Sequence, residues 1–322
     1  MNLKNRSVIV TGGAGFIGSH LVDRLIQEDP ENLVVVDNFF LGKESNLEDA
    51  KRSWPGLKIF RQDASDQKAM FKIVNDQGAD VIFNLAVVPL PVSLERPGWT
   101  FENNVGITLA MCELAREEHI RTLIHFSSSE VYGSCEYAPM DEKHPLNPTT
   151  PYAASKAASD ELVFCYCKTF GIDACIVRPF NNYGPRQNEG SYAGVIPLTI
   201  RRIMNGDPPV IHGDGKQTRD YLFVKDTVDA TIKVYNCENA RGKILNIASG
   251  KEVSIETVIR TIAEYFHVKD IIYERERPGD VRRHIANTYL AEDLIGFKPT
   301  MDFEEGLRKT IEWYKKRLGP QE

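Results

Sequence analysis

The sequence predicts a doubly wound α/β fold, in which a parallel sheet carries helices on both faces, with a smaller C-terminal lobe. Three observations lead to this prediction. Short apolar runs alternate with amphipathic stretches through the first half of the chain, the order expected of strands joined by crossover helices. A glycine-rich turn directly follows the first apolar run. Beyond about Phe180 the chain has more glycine, proline and arginine and longer loops, which indicates a second unit.

Six apolar runs predict the strands of the sheet. They are continuous rather than alternating with polar residues, as is typical of strands buried on both faces. The predicted strands are Ser7–Thr11, Leu33–Asp37, Lys58–Phe60, Asp80–Leu85, Arg121–Ser127 and Ala174–Val177. A late run near residues 244–249 is a further candidate for the same sheet.

Helices are predicted between these strands. Apolar residues recur every three or four positions in Phe16–Glu28 and in Thr108–Glu118, as on one face of an amphipathic helix. A third helix is predicted from Tyr152 to Gly171. The sequence has no glycine- or serine-rich linker, so we expect two directly packed domains, 1–180 and 181–322, with the ligand between them.

Composition excludes several functional classes. Hydrophobic residues make up 42% and charged residues 26% of the chain, as in ordinary globular proteins rather than disordered or fibrous ones. Lysine and arginine number 39 against 45 aspartate and glutamate, a net charge of -6. No overall positive field exists to hold a nucleic acid or an anionic membrane surface, so we expect neither partner.

The cysteines and the N-terminal segment indicate the cellular compartment of the protein. The 6 cysteines have neither paired Cys-x-x-Cys spacing nor histidines at metal-ligand intervals, so we predict reduced thiols and no metal. The N-terminal segment lacks the apolar core of a signal peptide, and no run approaches about 18 apolar residues. A cytoplasmic protein is expected.

The glycine-rich turn predicts a dinucleotide site. Gly12, Gly15 and Gly18 lie between the first predicted strand and the first predicted helix, where backbone amides at a helix N-terminus can approach a pyrophosphate closely. Asp37 ends the second strand, where a carboxylate accepts from ribose hydroxyls and repels a 2′-phosphate. We therefore predict NAD rather than NADP. A plain strand-end turn is the alternative interpretation of Asp37.

A tyrosine and a lysine four residues apart open the third predicted helix. This spacing places Tyr152 and Lys156 on one helix face. An ammonium close to a phenol favours the phenolate, so Tyr152 is a candidate base for the proton of an alcohol. A solvated pair on the helix surface is the alternative interpretation.

Three serines and a glutamate follow the fifth predicted strand. Ligands in doubly wound folds bind at the carboxyl ends of the strands, so Ser127–Ser129 and Glu130 are candidate ligand contacts. An acid of a surface turn is the alternative interpretation of Glu130.

Together, in this order and spacing, the three motifs resemble those of the extended short-chain dehydrogenase/reductase family of nucleotide-sugar enzymes. The resemblance covers essentially the whole chain and continues through Arg178–Pro185, Val195–Pro197, Gly213–Tyr221 and Arg277–Asp280. It implies a Rossmann-type domain with NAD as cofactor and a nucleotide-sugar substrate, most often a UDP-sugar. It also implies a homodimer paired through the helices near Thr108–Glu118 and Tyr152–Phe170.

The resemblance assigns roles residue by residue. The implied NAD contacts are Gly12, Gly15, Phe16, Ile17, Gly18, Asp37, Asn38, Asp63, Ala64, Leu85, Ala86, Asn104, Ser127, Tyr152, Lys156 and Pro179. The implied substrate contacts are Ser128, Ser129, Asn181, Val195, Ile196, Leu198, Arg219, Arg277 and Asp280. The implied catalytic residues are Ser129, Glu130, Tyr152 and Lys156. Arginine forks suit a diphosphate, which an acidic protein can hold only with such a local concentration of cations.

The same resemblance implies a common first step, in which Tyr152 takes the proton of a sugar hydroxyl, usually O4, and a 4-ketosugar results. Dehydratases of the family use a glutamate at the Glu130 position to remove the C5 proton while water leaves C6. Simple 4-epimerases usually carry a small or hydroxyl residue there. Glu130 therefore favours a dehydratase acting on a UDP-hexose such as UDP-N-acetylglucosamine.

Other reactions stay open as alternatives. The first is a 4-epimerase of UDP-glucose, UDP-N-acetylglucosamine or UDP-glucuronate. A UDP-glucuronate decarboxylase is less favoured, because those enzymes lack the Val195–Pro197 landmark. Ser129 stands where dTDP-glucose dehydratases carry an aspartate, which argues against that substrate. A catalytically silent ligand sensor is the alternative from another class, and the intact Tyr152 and Lys156 argue against it.

Overall fold

The computed structural model describes residues 2–190, 193–276 and 281–318. The strands are β1 (Ser7–Thr11), β2 (Asn32–Asp37), β3 (Lys58–Arg61), β4 (Val81–Asn84), β5 (Thr122–Phe126), β6 (Ala174–Pro179), β7 (Asn182–Tyr183), β8 (Val210–His212), β9 (Thr218–Asp220), β10 (Leu222–Phe223), β11 (Ile244–Ile247), β12 (Glu252–Ser254) and β13 (Ile272–Glu274). The helices are α1 (Phe16–Ile26), α2 (Glu48–Ser53), α3 (Gln67–Gln77), α4 (Leu90–Glu95), α5 (Pro97–Arg116), α6 (Pro151–Phe170), α7 (Val195–Met204), α8 (Val224–Asn236), α9 (Ile255–Tyr265), α10 (Tyr289–Ile295) and α11 (Phe303–Leu318). Short 3₁₀ turns span Glu44–Leu47, Ser129–Tyr132 and Glu238–Ala240.

The central sheet has seven strands in the order β11-β6-β5-β4-β1-β2-β3, and all its neighbouring pairs are parallel. The chain runs outward from β1 to β3 and then returns to β4 on the other side of β1. This reversal places a topological switch point at the carboxyl ends of β1 and β4, where ligands bind in such sheets. The predicted Rossmann-type α/β fold is confirmed.

Both faces of the sheet are covered, which explains the continuous apolar runs. Along β1, Val8 and Val10 pack into the core on the side of α1, together with Leu25. Ile9 faces the opposite core and packs with Met111 of α5. Burial of each such side chain contributes about 1.5–3 kcal/mol relative to its exposure. Because neither face of the sheet is exposed to solvent, its strands do not alternate apolar residues with polar ones.

The fifth helix begins earlier than predicted. Thr108 is the predicted start, whereas α5 runs from Pro97 to Arg116, so that prediction is wrong. Proline at the first helical position pre-sets the backbone, but the first turns carry weak helix formers such as Asn103 and Gly106, which obscure the periodicity. Among the helices in the described ranges, none is long and apolar enough to cross a membrane.

The C-terminal part of the chain divides between two places. Helices α7, α9 and α11 pack on one another around Ile200, Ile262 and Ile311, which form a separate apolar cluster. In contrast, α8 packs against α1, and β11 pairs with β6 so that Ile244 lies beside Ile176. The late strand near 244–249 is thus part of the central sheet, and the smaller lobe is set beside its carboxyl edge.

Candidate active site

A cavity of about 450 Å³ lies at the carboxyl ends of β1 and β4. Its wall includes these residues singled out from the sequence: Gly12, Gly15, Phe16, Ile17, Gly18, Asp37, Asn38, Asp63, Ala64, Leu85, Ala86, Ser127, Ser128, Ser129, Glu130, Tyr152, Lys156, Pro179 and Asn181. The fold therefore brings the glycine turn, the serine–glutamate run and the tyrosine–lysine pair to one space.

The glycine turn forms one end of this cavity. Gly12 has a φ of 67°, and a Cβ there would lie 2.8 Å from the backbone nitrogen of Ala86. Gly15 is the N-cap of α1, and among the described residues no side chain caps this helix. Its first-turn amides are left for an anion, and the helix dipole favours one. The turn thus fits the pyrophosphate of a dinucleotide.

Replacing Gly18 with alanine is expected to open this turn. An added Cβ would lie 2.1 Å from the carbonyl oxygen of Gly12 and 2.9 Å from the Cα of Gly13, and neither backbone atom can move without distorting the turn. We expect a loss of about 1–3 kcal/mol in the free energy of unfolding, measured in urea, together with weaker NAD binding. Gly15→Ala is the matched control for stability, because its Cβ would meet Gly12 at 3.1 Å. Equal unfolding midpoints for the two variants would contradict this reading.

Acidic side chains are fixed beyond the glycine turn. Asp37 accepts hydrogen bonds from the backbone of Ala14 at 2.9 Å and of Phe39 at 2.8 Å, and its burial raises the pKa of the carboxyl. Asp63 accepts from Asn38 Nδ2 at 3.0 Å. A carboxylate has about four acceptor positions, so both acids keep capacity for hydroxyl or amine donors of a bound nucleoside.

Helix α6 carries the tyrosine–lysine pair in its first turns. The Thr150 hydroxyl accepts from the Ala153 backbone at 3.1 Å and caps the helix, which fixes where Tyr152 lies. Lys156 is buried and donates to the backbone carbonyl of Phe126. Burial lowers the pKa of Lys156 to about 8. Burial also raises the pKa of Tyr152 to about 12, so proton removal from this phenol needs a nearby cation.

The serine–glutamate run turns beside that pair. Strand β5 ends at Phe126, and the 3₁₀ turn over Ser129–Tyr132 begins where the Glu130 backbone donates to the Ser128 hydroxyl at 3.3 Å. The Ser128 hydroxyl also lowers the pKa of the Tyr152 phenol, whereas the Glu130 charge raises it, both less strongly than burial does. The Glu130 carboxylate and the Tyr152 phenol therefore face the same part of the cavity.

One predicted cofactor contact lies elsewhere. Asn104 is not part of the cavity wall. Its side chain accepts from the Val88 backbone at 2.7 Å and donates to the Val88 carbonyl at 3.1 Å and to Ser155 Oγ at 2.9 Å. Asn104 thus clamps the loop after β4, and Val87, Val88 and Pro89 of that loop line the cavity instead.

A second cavity, of about 360 Å³, adjoins the first at Asn181, which lines both. Its wall includes the predicted residues Val195, Ile196, Leu198 and Arg219 and the residues Arg202, His212, Gln217, Tyr221 and Glu274. The sequence motifs pointed to Arg219 but not to Arg202, because nothing local distinguishes it from the neighbouring Arg201. Arg277 and Asp280, also predicted to bind substrate, lie outside the described residues.

One further segment, which the sequence analysis did not predict to be part of the site, also lines the first cavity. Residues 186–189 contribute to its wall together with Lys43. Lys43 Nζ lies 2.5 Å from Glu189 Oε1, and Arg317 Nε lies 3.5 Å from the same oxygen. Arg186 binds Asp23 of α1 at 2.7 Å. The contact between Lys43 and Glu189 therefore joins the N-terminal half of the chain to its C-terminal part at the cavity wall.

Breaking this contact is expected to speed the release of NAD. We expect Lys43→Met and Glu189→Gln each to raise the release rate by about two- to fivefold, the range for a partly exposed ion pair. The double variant should release no faster than Glu189→Gln alone, because both substitutions remove the contact between Lys43 and Glu189. Lys51→Met is the matched control, since its ion pair with Glu44 spans 4.0 Å and lies outside the cavity wall. Additive effects in the double variant would contradict a shared contact.

Several known proteins are similar to this chain over almost its full length. A UDP-glucose 4-epimerase of Mycolicibacterium smegmatis is 34% identical over 96% of this chain and 98% of its own. A dTDP-glucose 4,6-dehydratase of Actinoplanes sp. is 32% identical over 96% of this chain and 97% of its own. Other relatives are named as UDP-sugar decarboxylases.

Solved structures agree with this relationship. The structure of the UDP-N-acetylglucosamine 4-epimerase from Methanobrevibacter ruminantium M1, in complex with UDP-N-acetylmuramic acid, superimposes with a TM-score of 0.90. It is 36% identical and covers 98% of this chain and 99% of that chain. The model of the NAD dependent epimerase/dehydratase family matches residues 8–248. The chain belongs to this family of NAD-dependent enzymes that modify nucleotide sugars.

Proposed function

We propose that this enzyme is a nucleotide-sugar dehydratase that acts on a UDP-hexose such as UDP-N-acetylglucosamine. The observation that carries the proposal is the position of Glu130, which lines the same cavity as Tyr152 and raises the pKa of its phenol through its charge. A base besides Tyr152 is required to remove a carbon-bound proton, whereas simple exchange of configuration at C4 needs no such base. NAD, when bound, supplies a reversible hydride acceptor.

The first step belongs to α6. Tyr152 accepts the proton of the sugar O4 hydroxyl, and Lys156 supplies the positive charge that makes the phenolate accessible. The buried Ser129 and the half-buried Ser128 lie across the cavity wall and hold the sugar hydroxyls. Together these side chains orient the sugar and hold its proton while a ketone forms at C4.

The second step belongs to Glu130. A ketone at C4 acidifies the neighbouring C5–H, so a carboxylate beside the sugar can remove that proton as water leaves C6. The hydride removed from C4 would then return to C6, and C5 would take a proton that has exchanged with solvent. The Ser129 hydroxyl is the candidate donor to the leaving oxygen.

The second cavity is the proposed seat of the nucleotide. In this proposal Arg219 and Asn181 bind the diphosphate, and Val195, Ile196 and Leu198 flank the base. All five residues line this cavity. Residues 1–180, with β11, form the NAD-binding domain in this scheme, and residues 181–322 the nucleotide-sugar domain. Arg277 and Asp280 complete the proposed substrate contacts.

A 4-epimerase is the second candidate. It is favoured by the names of relatives at 34% and 36% identity, which are 4-epimerases of UDP-glucose and UDP-N-acetylglucosamine. In that reaction Glu130 binds the sugar and removes no proton. A UDP-sugar decarboxylase is a third and weaker candidate.

We also propose a homodimer that pairs through α5 and α6. Leu109 of α5 is 40% exposed and Phe164 of α6 is 39% exposed. The two helices pack against each other, so these apolar side chains lie on one broad surface. Sedimentation at micromolar concentration should give a dimer, and Leu109→Glu should give a monomer.

Product mass identifies the reaction. Purified enzyme is incubated with UDP-N-acetylglucosamine, UDP-glucose, UDP-glucuronate and GDP-mannose in separate reactions, with and without added NAD. Loss of one water from one substrate supports the dehydratase. An isomer of unchanged mass supports the 4-epimerase, and loss of carbon dioxide supports the decarboxylase; either result would overturn the proposed function.

A further inference from the structure

A buried charged cluster lies directly beneath the tyrosine–lysine pair. Asp160 follows Lys156 by four residues on α6, so both lie on one helix face. Asp160 Oδ2 accepts from Ser127 Oγ at 2.6 Å and from Arg178 Nη2 at 2.7 Å. Asp160 and Arg178 are fully buried in side-chain surface, and Ser127 belongs to the cavity wall.

Stability of the fold does not explain why the Asp160–Arg178 ion pair is fully buried. Removing two charges from water costs about as much as their attraction returns, so a buried pair is weak evidence for a stabilising role. The Arg178 guanidinium also lies 4.6 Å from the centre of the Tyr132 ring. Arg178 is therefore held in place without contacting the cavity, and Asp160 links it to Ser127, which does.

Strands β5 and β6 and helix α6 itself each bring a titratable group close to Asp160. Arg178 on β6 is positive. His125 on β5 lies with its Nε2 3.9 Å from Asp160 Oδ1, and burial holds its pKa well below the usual value, so it is neutral. Lys156 on the same helix is the other cation, and the charge of Asp160 raises the pKa of its ammonium against the stronger effect of burial.

The charge of Lys156 governs how readily the phenol loses its proton. The carboxylates of Glu130 and Asp160 both raise the pKa of Tyr152, so a protonated Lys156 is needed beside the phenol to favour loss of its proton. Without Asp160, two buried cations would face each other with no anion between them. Lys156 is the one that can lose its proton, because the Arg178 guanidinium stays charged.

We propose that Asp160 is a positioning residue that keeps Lys156 protonated and so preserves the cation beside Tyr152. The proposal deepens the proposed function and rests on it, since it presumes that Tyr152 takes the sugar proton. It assigns the Asp160–Arg178 pair to the catalytic machinery through Lys156 rather than to the stability of the fold.

The pH dependence of kcat separates this role from a structural one. Catalysis needs Lys156 protonated, so kcat falls as pH rises through its pKa. In Asp160→Asn the alkaline limb should move to lower pH by about one unit or more, which gives about a tenfold lower kcat on that limb. The KM for the nucleotide sugar should change much less than kcat, because Asp160 does not touch the substrate.

Two further variants make the result decisive. Asp160→Asn/Arg178→Met removes both charges of the ion pair and should regain thermal stability, with an alkaline limb between those of Asp160→Asn and the wild type. Asp226→Asn is the matched control, because Asp226 is a buried acid of α8 that accepts from Thr300 and Met301; it should lose stability with an unchanged limb. An Asp160→Asn variant with the wild-type limb, or a control with a shifted one, would overturn the proposal.

Failure of this proposal is distinguishable from failure of the proposed function. If Tyr152→Phe abolishes turnover and the Asp160 variants keep the wild-type limb, Tyr152 is the base and Asp160 has only a structural role. If Tyr152→Phe retains turnover, the proposed function itself fails, and no shift in the Asp160 variants can restore it.

Discussion

Replacing Tyr152 with phenylalanine is expected to lower kcat by about 10²–10⁴-fold, the usual contribution of a positioned acid–base group. In the proposed function the phenol takes the sugar proton, and phenylalanine removes this group with little change in shape. Burial raises the pKa of the wild-type phenol to about 12. Phenylalanine has no group that can take the proton in its place. Turnover is measured by product mass, and the NAD content of the purified variant by its absorbance after denaturation.

Tyr166→Phe is the matched control for this variant. Tyr166 lies on the same helix, but its hydroxyl contacts Glu113 and it is not part of the cavity wall. We expect wild-type kcat from this control and unaltered NAD content in both variants. Retained turnover in Tyr152→Phe would remove Tyr152 from the role of base, and a ligand response without turnover in the wild type would point to a sensor.

Glutamine at position 130 is expected to slow the loss of water from the sugar by about 10²–10⁴-fold. The amide has the shape of the carboxylate but cannot accept the C5 proton. Formation of the 4-ketosugar should continue, because Tyr152 and Lys156 are intact. Loss of the Glu130 charge should lower the pKa of the phenol, since that charge raises it, so the acid limb of the first step should move to lower pH.

Glu136→Gln serves as the control, because Glu136 is an exposed acid of the following loop outside the cavity wall. It should dehydrate the sugar at the wild-type rate. If Glu130→Gln instead raises KM with little effect on kcat, Glu130 binds the sugar and the 4-epimerase becomes the better description.

Local features of the site were predictable because short spacing determines them. Gly12, Gly15 and Gly18 fix a turn within seven residues, and four residues separate Tyr152 from Lys156 on any helix. The serines and Glu130 follow a strand whose end defines the cavity edge. Each motif could therefore be placed without knowledge of distant contacts.

Asn104 illustrates what the resemblance alone leaves out. Its position along the chain matches a cofactor contact, and the structure adds that its side chain bonds to Val88 and Ser155 and so supports the loop after β4. The early start of α5 at Pro97 has a related cause, because its first turns hold polar residues that serve this loop rather than an apolar stripe.

Long-range contacts account for the rest of what sequence could not supply. Lys43 and Glu189 are 146 residues apart, and neither lies in a motif. Asp160 follows Lys156 closely in sequence, yet its partner Arg178 comes from the next strand. Only the packing of α6 against β5 and β6 shows that these charges form one cluster.

Deuterium at C5 of the product tests the central claim, that the reaction removes the C5 proton, most directly. Wild-type enzyme is incubated with the accepted UDP-hexose in heavy water, and the product is analysed by mass spectrometry and by NMR at C5. We expect a product that has lost one water and carries one solvent deuteron at C5. A product of unchanged mass with hydrogen retained at C5 would contradict a dehydratase and leave Glu130 as a sugar-binding residue.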